Sequence, residues 1–386
     1  MRSTSKKARI LIIGILAACL AAAIFAFSRP TVSPTPLSQR SWNPKAAAAY
    51  LDQRALWWSK WPASARGDGT FCISCHTALS YSLSRPALRA TLGEDAPTLQ
   101  EQAIWNSVAN RVRNWKSAVP YYGGSQTDLA RSAGAESVVN AIVLARRDAA
   151  NGKLSDVTRA AFDNMWALQQ TTGDLKGAWW WLQFNHEPWE ASDSQYYGAA
   201  LAAIATSIAP ESYHSNPGIQ THREMLREYL RREYRKQSLL NQVTLLWASL
   251  KWPELITPDQ RDTIIQEVLD KQHTDGGWNL ASLSWTWRNW NAFARMWFVS
   301  EGTPLKARSD GFATAFMTFV LQQAGLPRDN PRLRQGLVWL AHNQDQTGGQ
   351  WVTYSLNYRR SLTSDTGRFM SDAATAYAVL SLSKAD

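Results

Sequence analysis

From about residue 45 to the C-terminus, apolar positions recur at helical spacing and are broken each time by the same punctuation. A helix-like run ends in Gln, a turn carrying Gly and Trp follows, and after a variable loop Ser-Asp opens an Ala-rich second run. Three copies carry the full pattern: the run 165–170 with Gly177, Trp179, Ser192 and Asp193; 268–272 with Gly276, Trp278, Ser309 and Asp310; and 338–344 with Gly348, Trp351, Ser371 and Asp372. Weaker helical pairs join roughly 46–60 with 74–84, 100–117 with 133–147, and 219–235 with 237–250. A unit of two helices cannot bury its own apolar faces and must stack on its neighbours. Six pairs can close on themselves, with second helices such as 199–204 and 373–378 crowding small residues into an inner layer. The pattern predicts an all-α fold, an (α/α)6 toroid of six helical hairpins.

The N-terminus has a different pattern. Arg2, Lys6, Lys7 and Arg9 precede residues 10–27, which carry no polar side chain except Cys19, and a Pro- and Ser-rich stretch follows. This divides the chain into a signal or anchor segment (1–27), a linker (28–44) and one toroid domain (45–386). Eighteen apolar residues are just long enough to span a bilayer, and positive flanks stay cytoplasmic. The expectation is an uncleaved inner-membrane anchor with the body in the periplasm or another extracytoplasmic space. The alternative is a lipoprotein modified at Cys19, since residues 16–19 read Leu-Ala-Ala-Cys. The formal charge of +10 includes four cations ahead of the apolar segment and no acids there, leaving +6 for the rest. Its densest cluster, residues 223–236, interleaves Glu224, Glu228 and Glu233 as a solvated helix would, so nucleic acid is not an indicated partner. The weakly patterned stretch 279–307 reads as a loop inserted within one hairpin.

The Gln-x-x-x-Gly-Gly-Trp run at 272–278, and 344–351 with one extra residue, resemble the repeats of squalene-hopene cyclases and the wider terpenoid cyclase and protein prenyltransferase toroids. The resemblance covers roughly residues 45–384 and implies a toroid enclosing an apolar or isoprenoid ligand. It does not imply cyclase chemistry, because neither the Asp-x-Asp-Asp nor the Asp-Asp-x-x-Asp string of those enzymes occurs in the chain.

The sharpest chemical signal is Cys72-Ile-Ser-Cys75-His76. In an exported chain this spacing is the attachment signature of haem c: two thioethers hold the porphyrin and the His supplies an iron ligand. Met165, Met370, His186 and His342 are candidate sixth ligands. The alternatives are a Cys72–Cys75 disulfide, or zinc held by Cys72, Cys75, His76 and an Asp or water, as prenyltransferase-like toroids hold zinc through Cys and His.

Residues 74–83 align with 371–380, which places Cys75 and His76 where the other units have Asp and puts the cysteines at the mouth of the ring. Glu136, Asp193, Asp310 and Asp372 are then expected on the same rim, near the starts of inner helices, as helix caps or as carboxylates converging on a ligand. Twenty tryptophans, among them Trp57, Trp58, Trp61, residues 179–181, Trp189, Trp285, Trp287 and Trp290, exceed what repeat packing alone needs. Such aromatic walls suit an isoprenoid, a sugar or a haem macrocycle. The functional expectation is a tethered haem toroid acting in redox chemistry or ligand binding, with a redox partner. The alternatives are a haem-free enzyme of polysaccharide lyase or hydrolase type, a zinc-dependent enzyme, a divergent isoprenoid cyclase, or a toroid that only binds a lipid or protein.

Overall fold

The structure, a computed structural model, describes residues 41–284, 308–358 and 360–383. The chain divides into two units, Met1–Ser41 and Trp42–Asp386, so the helical body begins three residues before the expected 45. The expected anchor at 10–27, Cys19, most of the linker, Trp285, Trp287, Trp290 and most of the inserted loop lie outside the described residues. Among the described residues no helix is long and apolar enough to cross a membrane.

Among the described residues twelve long helices fall into six consecutive pairs, and no strand occurs. They are α1 (Pro44–Lys60) with α2 (Ser80–Leu92), α3 (Leu99–Arg113) with α4 (Gln126–Ala149), and α5 (Asp156–Ala167) with α6 (Ser194–Ile208). Then come α7 (Gln220–Glu233) with α8 (Leu239–Ser249), α9 (Pro258–Asp270) with α10 (Gly311–Gln323), and α11 (Pro331–Asn343) with α12 (Phe369–Leu382). Local chemistry sets the starts. Thr98, Ser125 and Thr257 form capping boxes, and Pro44, Pro258 and Pro331 stand where a missing N–H costs nothing. The box at Ser125 starts α4 seven residues earlier than the expected 133, which moves Glu136 from a helix start to mid-helix.

The second helix of each pair is the buried one. α6 and α12 are Ala-rich, α10 carries three Phe, and all three are buried almost all round, the property of a helix with neighbours on every side. They pack in series: α2 on α4, α4 on α6, α6 on α8, α8 on α10, α10 on α12, and α12 back on α2. The first helices lie outside, with α5, α7, α9 and α11 each packed on the second helix of the preceding pair, and α7 shows the division in its sequence, with Leu226, Tyr229 and Leu230 buried and arginines elsewhere.

The repeated Gln, Gly and Trp make the same contacts in all three copies. The side-chain amides of Gln169, Gln272 and Gln344 donate to their own turn, at Gly177, Gly276 and Gly349 O (2.9, 2.7 and 3.1 Å). Each donates again to the start of the next outer helix, at His222, Arg332 and Asn43 O (2.9, 2.8 and 2.9 Å). In the first copy the working residue is Gln169 rather than its neighbour Gln170. Trp179, Trp278 and Trp351, all fully buried, donate Nε1–H to carbonyls of the preceding helix, at Met165, Val268 and Leu340 (2.6, 2.7 and 2.8 Å). The turn glycines have positive φ, and a Cβ on them would strike the Met225, Gln335 and Ala46 carbonyls. Those carbonyls lie three residues beyond His222, Arg332 and Asn43, so one register repeats, and Gln344 ties the last pair to the first across 301 residues.

Candidate functional site

Cys72 sits on an irregular segment between α1 and α2 that several contacts hold in place. Its amide donates to Ser64 O (2.8 Å), its carbonyl accepts from Trp58 Nε1 (2.6 Å), and Phe71 N donates to Ser107 Oγ (3.1 Å). Ser74 Oγ then caps the amides of Thr77 and Ala78, opening a π-helical turn, Cys75–Leu79, that runs into α2. The widened turn is marked by Leu79 N donating to Ser74 O (2.9 Å). Single π turns of this kind recur at functional sites.

Cys72, Cys75 and His76 all line one pocket, which encloses roughly 1100 Å³ with its open mouth included. Trp58, Trp61, Trp189, Tyr122 and Phe369 supply aromatic wall, and Arg66, Arg360, Glu187 and Glu190 supply charge. Cys72 is buried, while Cys75 and His76 are half-buried. Both thiols are free, and burial holds their protons on, pushing Cys72 up to about 12 and Cys75 well above its ordinary value. Burial, with Arg54 and Arg360 adding to it, lowers His76 to about 3, so its imidazole is neutral. The ring stacks on Phe369 at 4.0 Å and 23° and meets Trp58 edge-on at 5.0 Å.

The His76 ring is tied to a buried ionic cluster. His76 Nδ1 lies 2.7 Å from Thr77 Oγ1, and that hydroxyl donates to Asp372 Oδ2 at 2.6 Å. Asp372 also accepts from Tyr50 OH (2.8 Å) and from Arg54 Nε and Nη2 (2.8 and 3.1 Å). Burial pushes the Asp372 carboxyl up, but with four donors on its two oxygens and Arg54 cationic, we read it as a carboxylate.

Two loops meet at the mouth. His186 Nε2 and Tyr358 OH share a 2.6 Å hydrogen bond, and His186 Nδ1 lies 3.4 Å from Glu190. Glu187 and Asn357 bond reciprocally, N to Oδ1 at 3.0 Å and Nδ2 to O at 2.7 Å.

The four carboxylates expected on one rim do not line this pocket together. Glu136, in the middle of α4, is buried against Arg111 (2.5 and 2.8 Å). Asp193 accepts from Asn241 Nδ2 (3.0 Å). Asp310 caps α10 at Ala313 N (2.9 Å), accepts from Leu280 N (2.6 Å) and borders a separate pocket with Trp339 and Tyr354. Asp372 belongs to the Arg54 cluster. Of the candidate sixth ligands, Met370 and His186 line the pocket, whereas Met165 is fully buried core and His342 stands on the outer helix α11. Among the described residues no group of three or more His, Cys, Asp or Glu is gathered as a metal ion would need, so the four-ligand zinc arrangement finds no counterpart. The sequence carried no signal for Glu187, Glu190, Arg66 or Arg360, which reach the site from loops without a motif. The chain matches no known protein-family model, and no curated protein is significantly similar to it.

Proposed function

We propose that this chain is a membrane-tethered, extracytoplasmic (α/α)6 toroid of the squalene-cyclase type that carries one covalent c-type haem at Cys72, Cys75 and His76 and uses it in redox chemistry or ligand binding. The toroid reading is supported by the closed series of inner helices and by the Gln344 bridge from last pair to first. The tether rests on the sequence of residues 1–27.

The observation that carries the haem reading is one pocket lined by Cys72, Cys75 and His76 together with two further ligand types, Met370 and His186. The donor set fits the group. Both thiols are free and protonated, so each can add its sulfur and its hydrogen across a vinyl group without consuming an oxidant. The imidazole is neutral, as iron ligation requires, and Phe369 and Trp58 fix its plane. Arg66, whose Nε is buried without a partner, and Arg360 offer positive charge for acidic substituents. A single His from the chain suffices for haem, so the reading does not call for the cluster that zinc would need. When bound, such a group would supply one-electron chemistry beside the aromatic wall of Trp58, Trp61, Trp189, Tyr122 and Phe369.

The acid–base alternative is less well supported, because Glu136 and Asp372 are each committed to a buried arginine and Asp310 to two backbone amides. A pyridine haemochrome spectrum of the denatured full chain, made with haem c maturation machinery, tests the proposal. A haem band that survives denaturation and is lost in Cys72→Ala/Cys75→Ala supports it, and no band in the unsubstituted chain refutes it.

A further inference from the structure

We infer that Thr77 and Asp372 are positioning residues for His76: they hold its proton on Nδ1, leave the Nε2 lone pair for iron, and enrich the ring in electrons. The inference deepens the haem reading and rests on it, although its geometric part can be measured without haem. A threonine hydroxyl has one hydrogen. Thr77 gives that hydrogen to Asp372 Oδ2, an oxygen that also accepts from Arg54 Nη2, while the other oxygen accepts from Tyr50 and Arg54 Nε. A carboxylate surrounded by donors can only accept, so the direction of the Thr77 bond is set. At 2.7 Å from His76 Nδ1, the Thr77 oxygen must then accept, and Nδ1 carries the N–H.

The direction is anchored by buried groups rather than by solvent. Asp372, Thr77 and Arg54 are all at most 2% exposed, and Arg54 is fixed again through Asp365, at Oδ1 (2.8 Å) and O (2.7 Å). The elements involved are α1, the π turn and α12, which pack on one another. The Phe369 ring against His76 prevents the imidazole from turning freely to exchange its nitrogens. A ligating histidine whose other nitrogen donates to a carboxylate-backed acceptor is more basic and favours the oxidised metal.

Two measurements on the full chain test this. The first uses protein made without haem-attachment machinery, kept reduced and labelled with 15N-histidine. The His76 nitrogen shifts should show the Nδ1–H tautomer, with the Nε2–H form growing in Thr77→Val and suppressed again in Thr77→Ser, which restores the hydroxyl. An Nε2–H tautomer with Thr77 in place, or no response to Thr77→Val, overturns the inference. The second uses the haem-loaded chain. Thr77→Val should raise the midpoint potential by about 59 mV, roughly tenfold in the ferric-to-ferrous ratio for one electron, and lower the iron–imidazole stretching frequency, whereas Thr77→Ser leaves both near the parent. An unchanged potential and stretch in Thr77→Val overturn the electronic part. Failure of the unsubstituted chain to bind haem refutes the haem reading alone, and the tautomer measurement still decides the geometry.

Discussion

Gly349→Ala tests whether the last helical pair is locked onto the first. Gly349 has φ +82°, and a Cβ there would strike the Ala46 carbonyl in α1. A non-glycine residue in this left-handed region costs about 1–2 kcal/mol by itself. The clash must also push the turn away from α1, which strains the two bonds joining Gln344 to Asn43 (Nε2 to O at 2.9 Å, N to Oε1 at 2.6 Å). At about 1 kcal/mol net for each hydrogen bond, that adds about 2 kcal/mol. Gly325 is the matched control: its φ is +83°, yet nothing lies within 4 Å of its would-be Cβ. Gly325→Ala therefore keeps the backbone cost and omits the clash. Urea unfolding of the full chain in mild detergent, followed by tryptophan fluorescence and far-UV circular dichroism, should show Gly349→Ala less stable than Gly325→Ala by about 2 kcal/mol or more. Equal losses in the two variants would refute the claim that this contact closes the helical body.

Asp372→Ala leaves Arg54 buried with only Asp365, itself 51% exposed, and should cost about 3–5 kcal/mol in the same assay, whereas Asp365→Ala should cost less than about 1 kcal/mol; comparable losses for both would contradict the hub role. Burial raises Asp310 to about 6, outweighing the amides of Ala313 and Leu280 that act the other way. The folded state thus holds this proton more tightly than the unfolded chain, whose carboxyl titrates near ~3.9. Its contribution is full below about pH 4 and is lost as pH rises to about 6, some ~3 kcal/mol in all. Unfolding of the parent and Asp310→Asn at pH 4 to 7 should show the parent losing stability relative to the variant across that window, and a constant difference would exclude it. His76, lowered to about 3, should show no NMR titration between about pH 5 and 8 in the haem-free chain; a midpoint near ~6.5 would place the ring in water.

Much of the helical architecture was legible because its signals are local and repeated. Gly276 and Trp278 recur two residues apart in every copy, with a Gln such as Gln272 four to eight residues before the Gly, and each does the same work in its copy. The pocket was half legible. Cys72, Cys75 and His76 are joined by a motif, and Trp58, Trp61 and Trp189 stand out among the clustered tryptophans, but Arg66, Glu190 and Arg360 arrive from loops whose lengths carry no pattern. Charge pairing was the least legible part. Asp372 looks like any acid near a helix start, and its partners Tyr50 and Arg54 lie more than 300 residues away, so only tertiary packing shows that it balances a buried cation instead of capping amides. Glu136 was misplaced for a local reason: the polar start of α4, residues 126–132, hid about two helical turns that the capping box at Ser125 begins.

The central claim is settled most directly by the intact mass of the full chain produced with haem c maturation machinery, with peptide mapping around residues 72–76. The account predicts a mass increased by one haem, with the addition on the peptide that holds Cys72 and Cys75. An unmodified mass, or haem attached elsewhere, would contradict it.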